Sequence, residues 1–192
     1  MNIKKVVVIG SGTMGSGIAA QVANADIPVT LLDLPSKVGS INQITEDAKN
    51  RILKSRPPLL FEKNKINLIS VGNIEDNFNE IKDADWIVEA VVERIDIKHS
   101  IYKKIAEVRK KNSIISSNTS TIPLKVLSEK MSEEMKMNFC ITHFFNPVRY
   151  MGLLEIVTEP INNKENIEML KSFCDEKLGK GVIICKDTPG FL

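Results

Sequence analysis

Six residues near the N-terminus, Gly10-Ser11-Gly12-Thr13-Met14-Gly15, have the GxGxxG spacing and follow directly on a β-branched run, Val6-Val7-Val8-Ile9. In that setting each glycine has its own task. Gly10 permits a tight turn, Gly12 leaves the backbone open to a pyrophosphate, and Gly15 lets the next helix pack on the sheet. The helix N-terminus adds free amide donors and a partial positive charge. Asp33 ends a second β-branched run 18 residues beyond Gly15, where a carboxylate accepts the hydroxyls of an adenosine ribose and repels a 2′-phosphate. No Arg follows it at once, which favours NAD over NADP. The hexapeptide also occurs as a ligand-free turn, and the combination of strand, helix and acid is what favours the phosphate reading. Asp26 stands where a glycine commonly closes this first helix, but Asn and Asp tolerate left-handed geometry better than most residues.

A second set of residues suits proton transfer. His143 closes the apolar run Ile141-Thr142-His143-Phe144-Phe145, and twelve residues on Glu155 interrupts Leu153-Leu154-Glu155-Ile156-Val157. An unpaired imidazole or carboxylate in such surroundings is costly to desolvate, so the two should meet across neighbouring strands. A Glu that accepts the hydrogen of one ring nitrogen fixes the tautomer and leaves the other nitrogen as a general base. The pair reads equally well as a structural hydrogen bond inside a core, and the cofactor site upstream tips the balance. Oxidising a secondary alcohol with NAD needs hydride loss from carbon and proton loss from oxygen, and His143 is the candidate for the latter. Ser120, in Ser117-Asn118-Thr119-Ser120, falls at the end of a strand where its hydroxyl could hold the substrate oxygen; the same tetrapeptide also reads as a polar turn capping a helix. His99 lies off the apolar stripe of a Lys-rich helix and reads as a surface residue without a role.

The elements that would position these groups alternate between β-branched runs and segments of helical period, the pattern of an α/β protein with a parallel sheet covered by helices. Strands are expected at 3–9, 29–33, 66–71, 86–92, from 114, at 137–145, 153–158 and 181–185. Helices are expected at 14–25, 74–81, along the Ile97/Ile101/Ile105/Val108 stripe, after Pro123 with a cap from Thr121 or a neighbour, and at 163–178. Residues 36–66 are polar and basic and carry Pro57-Pro58; they read as two helices broken by those prolines and projecting from the sheet edge. The expected architecture is a single doubly wound, mostly parallel sheet with a helical insertion after the second strand.

The chain has 192 residues, with 26 Lys and Arg against 24 Asp and Glu, and a net charge of +2 gives no electrostatic reason to bind nucleic acid or a membrane surface. A hydrophobic share of 43% is enough for a core without staples. The three cysteines, Cys140, Cys174 and Cys185, suit neither a disulfide framework nor a metal pair, so a reducing, cytoplasmic setting is expected. The N-terminus passes straight into the first strand with no signal or transit segment, and the mature chain is expected to start at or near Met1. No apolar run approaches the roughly 18 to 20 residues of a membrane span.

The motifs together resemble the NAD-binding domain of the 3-hydroxyacyl-CoA dehydrogenase family. They are the glycine loop with Ser16-Gly17-Ile18-Ala19, Val88-Glu89-Ala90-Val91-Val92-Glu93, Ser117-Asn118-Thr119-Ser120, His143-Phe144-Phe145-Asn146-Pro147, and Lys186-Asp187-Thr188-Pro189-Gly190-Phe191. The resemblance implies a Rossmann-like domain over 1–192 that oxidises 3-hydroxyacyl-CoA to 3-oxoacyl-CoA, in fatty-acid β-oxidation or short-chain acyl-CoA metabolism. It makes His143 the catalytic base, Glu155 its orienting partner and Ser120 a contact to substrate and nicotinamide, with Glu93, Lys98 and Asn146 touching the cofactor. In the family a helical second domain follows the last motif, supplies a further asparagine, shapes the acyl site and forms a homodimer. It is expected after residue 192, so this chain alone is expected to bind NAD with little or no turnover. The 36–66 segment resembles the longer, multifunctional members, and no CoA-contacting residue is carried over. Two alternatives are a non-catalytic NAD-binding module and a 3-hydroxy-acid dehydrogenase without a CoA handle.

Overall fold

The computed structural model describes residues 2–188, 190 and 191. Eight strands form one sheet: β1 (Val6–Ile9), β2 (Val29–Asp33), β3 (Ile69–Asn73), β4 (Trp86–Glu89), β5 (Ile114–Ser117), β6 (Phe139–Phe144), β7 (Leu153–Thr158) and β8 (Gly181–Lys186). Their order across the sheet is β3-β2-β1-β4-β5-β6-β7-β8, and every neighbouring pair is parallel except β6 with β7. This is the doubly wound, Rossmann-type arrangement. The chain reverses its direction of travel between β1 and β4, and the crevice beyond the carboxyl ends of those two strands is where such sheets hold ligands.

Alternation along β1 shows how the sequence builds two layers. Val6 and Val8 face a core shared with helix α1 (Thr13–Asn24), α2 (Gln43–Lys54) and α6 (Lys164–Glu176). Val7 and Ile9 face the opposite core, under α3 (Ile95–Val108) and the short helices α4 (Leu124–Leu127) and α5 (Glu133–Lys136). A strand buried on both faces must be apolar at every position, which is why β1 reads as an unbroken aliphatic run. Helix α1 ends as the residue types allow: Asp26 takes φ +62°, and its carboxylate pairs with Lys65.

Several elements depart from expectation. Residues 36–66 hold one α-helix, α2, and a 3-10 turn at Lys63–Leu68 separated by the proline loop. The segment does not project. Thr45, Ala48 and Ile52 are buried, and Ala48 and Ile52 join the core of Val6 and Ile18, while Ile41 is exposed. Two of its basic side chains hold it to the sheet and the glycine loop: Lys49 Nζ donates to the Ile69 carbonyl (2.6 Å) and Arg51 Nη2 to that of Ser11 (3.2 Å). The helix expected at 74–81 is a 3-10 turn at Phe78–Asp83. Strand β4 stops at Glu89, three residues early, because the chain leaves the sheet there to line the crevice; Val92 is 59% exposed. Helix α4 has no cap from Thr121. Its first amides, Leu124 N and Lys125 N, donate to the Asp187 carboxylate (2.8 and 3.0 Å), 63 and 62 residues away in sequence. Pro189 of the last motif lies outside the described residues, as do Met1 and Leu192. Among the described residues, no helix is long and apolar enough to cross a membrane.

Candidate active site

The glycine loop behaves as three different positions. Gly10 has φ +103°, and a Cβ there would stand 2.4 Å from the Ala90 carbonyl oxygen, so the loop can press against the end of β4 only without a side chain. A Cβ on Gly15 would fall 1.8 Å from the Gly10 carbonyl oxygen, which binds the start of α1 to the turn. A Cβ on Gly12 would meet nothing within 4 Å; that position opens on the crevice. Helix α1 begins without a side-chain cap on its first amides, and Thr13 is exposed beside them. Uncapped amides and open space at Gly12 are what a pyrophosphate requires, so the loop fits NAD.

Asp33 stands beside this loop. Its Oδ2 accepts from Ser11 N (2.6 Å) and Ser11 Oγ (2.7 Å), and its Oδ1 from Leu34 N (2.7 Å). Ser11 is itself buried, and its carbonyl accepts from Ser16 Oγ (2.9 Å) as well as from Arg51. The carboxylate is thus held in place by the loop, and it lines a crevice of about 580 Å³ with Gly10, Gly12, Leu34, Ile97 and Val92. Largely apolar walls with the fixed Asp33 carboxylate suit an adenosine, and the exposed Asp96 and Lys104 also line it.

A second crevice of about 320 Å³ shares Ala90 and Val91 with the first. Met14, Glu93, Asn118, Ser120, His143 and Asn146 line it. His143 and Glu155 are directly opposed across the antiparallel β6–β7 pair, and Nδ1 lies 2.6 Å from Glu155 Oε2. A carboxylate only accepts, so Nδ1 carries the hydrogen and Nε2 is left for a ligand. The Glu155 side chain is 2% exposed and that of His143 17%, which leaves the imidazole as the end of the pair that solvent or substrate can reach. The rings of Phe145 and Phe191 flank it, with centroids 4.5 and 5.6 Å away. Ser120 and Asn146 are both exposed on the same crevice.

Lys98 takes a different post from the one implied for it. Its side chain is fully buried beneath the crevice, where Nζ donates to Glu89 Oε1 (2.7 Å) and lies 3.6 Å from Glu93 Oε1. Of these two carboxylates, Glu93 is the one that also lines the crevice. Glu89 was not singled out from the sequence as a site residue. It accepts from Lys98, Tyr102 OH (2.6 Å), Ser117 Oγ (2.7 Å) and the Val91 amide (2.8 Å), all at a fully buried carboxylate. The signal was present: Glu89 interrupts the apolar strand Trp86-Ile87-Val88 just as Glu155 interrupts β7. Burial, and then the Glu89 charge, push the Tyr102 hydroxyl well above its ordinary range, so it stays a donor. Thr119 Oγ1 donates to Glu93 Oε2 (2.6 Å), and Asn118 Oδ1 accepts from Phe144 N (3.0 Å), tying the β5 tetrapeptide to both the Glu93 and the His143 sides. His99 is half-buried, with Nε2 3.0 Å from the Val126 carbonyl, away from either crevice.

Over residues 5–188 the chain matches the family described as 3-hydroxyacyl-CoA dehydrogenase, NAD binding domain. The chain belongs to that family. A relative from Rickettsia felis, a putative fatty acid oxidation complex trifunctional enzyme, is 47% identical over 191 residues, which cover 99% of this chain and 26% of that protein. A probable 3-hydroxyacyl-CoA dehydrogenase of Deinococcus radiodurans is 44% identical over 194 residues, covering all of this chain and 56% of the relative. The crystal structure of 3-hydroxybutyryl-CoA dehydrogenase from Escherichia coli superposes with a TM-score of 0.84 at 28% identity, over 99% of this chain and 39% of that one. The chain therefore spans between a quarter and just over half the length of these relatives. As a member of the dehydrogenase family it is an NAD-binding domain, and the two joined crevices are the surface that its glycine loop, Asp33 and His143 share.

Proposed function

We propose that the protein oxidises 3-hydroxyacyl-CoA to 3-oxoacyl-CoA with NAD, and that this chain supplies the cofactor site and the acid–base pair. The observation that carries the reading is the His143–Glu155 pair, with its free Nε2 opening on a crevice continuous with the one beside the glycine loop. NAD, when bound, accepts the hydride. His143 Nε2 takes the hydroxyl proton, and Glu155 stabilises the imidazolium that results. Ser120 Oγ holds the substrate oxygen within reach. Asp33 receives the adenosine ribose and disfavours a 2′-phosphate, the free amides at Gly12–Met14 receive the pyrophosphate, and Glu93 and Asn146 bound the nicotinamide end. Lys98 acts from below by fixing Glu93.

The names of the relatives support an acyl-CoA substrate. We place the acyl-binding and dimer-forming helices in the stretch by which those relatives exceed this chain, and the protein in the cytoplasm, consistent with three buried free thiols. The test has two parts. The 192-residue chain should bind NADH at least about tenfold more tightly than NADPH, and at the length of its relatives the protein should oxidise NADH with acetoacetyl-CoA but not with free acetoacetate. Binding without any reduction of acetoacetyl-CoA at that length would favour a non-catalytic module, and equal use of acetoacetate would remove the CoA handle.

A further inference from the structure

The motif Lys186-Asp187-Thr188-Pro189-Gly190-Phe191 has no part in the chemistry above, yet its described residues meet both halves of the site. Strand β8 lies against β7, so the motif emerges beside the Glu155 strand. Cys185 stands opposite Val157 and on the same face of β8 as Ile183, the register partner of Glu155, and burial and then the Glu155 charge push its thiol up. Beyond it, Asp187 reaches across to α4, the helix that starts four residues after Ser120 and has no cap of its own, and accepts from its two leading amides. The chain then closes a turn. Phe191 N donates to the Thr188 carbonyl (2.9 Å) and Thr188 Oγ1 to that of Phe191 (3.1 Å). Phe191 is 6% exposed, sits against the His143 ring and has φ +59°. That backbone region is unfavourable for a bulky side chain and persists where the surroundings over-determine it.

We infer that Asp187 is a positioning residue: by capping α4 it moors the end of β8 and seats Phe191 as one wall of the His143 imidazole. The charge-assisted cap joins the segment after Ser120 to the segment over His143, so the hydroxyl and the base keep a fixed spacing. Phe191 and Phe145 then hold the ring plane while Glu155 holds its tautomer. The inference rests on the dehydrogenase reading for its consequence in turnover, but not for its geometry.

Carbethoxylation of the two histidines of the 192-residue chain, followed by peptide mass spectrometry, separates these. Asp187→Ala should raise the rate at His143 by about fivefold or more, as a local opening does, and by more than at His99, whose partner carbonyl belongs to the uncapped helix. Asp187→Asn, which can still accept an amide, should recover most of the protection, since Asn caps helices about as well as Asp. Phe191→Ala should reproduce the exposure of His143 with the cap intact. NADH affinity should stay within about twofold in all three, because neither Asp187 nor Phe191 lines either crevice. An unchanged His143 rate in Asp187→Ala, an equal rise at both histidines, or no recovery in Asp187→Asn would overturn the inference. Failure of the unsubstituted chain to bind NADH would instead overturn the cofactor reading and leave the mooring intact.

Discussion

Replacing His143 with Gln keeps a hydrogen-bonding side chain opposite Glu155 but removes the group that takes up a proton. At the length of its relatives the variant should lose about 10²- to 10⁴-fold in turnover, while NADH affinity measured by fluorescence titration on this chain changes by no more than about twofold. Equal loss of both would make the imidazole a structural residue. The buried pair under the crevice calls for a different expectation. Glu89→Gln strands the Lys98 ammonium without its nearest anion, and the urea midpoint should fall by the equivalent of about 3 to 5 kcal/mol. Glu89→Gln with Lys98→Met removes both charges and should recover much of that loss, because a neutral pair of similar volume leaves no unpaired buried charge. His143, Glu155, Ser120 and Asp33 were legible in the sequence because each is a polar group in an apolar run or at a strand end. Lys98 was not. A lysine in a Lys-rich helix reads as solvated, and only the fold shows that α3 turns it inward with Ile101, Tyr102 and Ile105.

At the scale of elements, the strand-to-helix turn separates folding from binding. Gly15→Ala places a methyl against the Gly10 carbonyl and should lower the melting temperature or prevent folding, since overpacking of this kind typically costs about 1 to 3 kcal/mol. Gly12→Ala meets no protein atom and should leave the melting temperature within about 2 °C. Its added methyl occupies the pyrophosphate's approach, so NADH should bind at least about tenfold more weakly. Normal NADH binding by Gly12→Ala would show that the phosphates lie elsewhere. The strands and this turn could be read in advance because period and residue type are local properties. Two features could not. Polarity and prolines in 36–66 suggested a projecting arm, whereas three small or aliphatic positions, Thr45, Ala48 and Ile52, suffice to lay α2 on the core. The α4 cap comes from a residue more than sixty positions away, and no window along the chain contains both partners.

For the molecule as a whole, the free cysteines predict how stability varies in alkali. Burial raises the Cys140 thiol from 9.0 to about 12, and Cys174 also lies well above its ordinary value, through burial and then Cys140. The folded protein therefore keeps protons that the unfolded chain releases, and stability present below pH 9 should be lost as the pH rises toward 12. Lys180 acts in the other sense. Burial lowers its ammonium, whose Nζ donates to the Val148 and Met151 carbonyls, so its unfavourable contribution is relieved as the pH rises toward the ordinary lysine value. With the buried thiols outweighing one lysine, urea midpoints should fall between pH 9 and 11, and the fall should be shallower in Cys140→Ala. A midpoint that stays level would contradict the burial of the thiols.

The single reversed neighbour in the sheet has a consequence for how this sequence can vary in length. Because β6 and β7 run head to tail, adding or removing a residue in the return that joins them leaves His143 facing Glu155, whatever else it disturbs. One residue gained or lost inside either strand rotates a member of the couple into the opposite helical layer. An insertion scan from 139 to 158 should accordingly keep the His143 couple opposed for insertions in the return and break it for insertions in either strand, whatever each costs in stability.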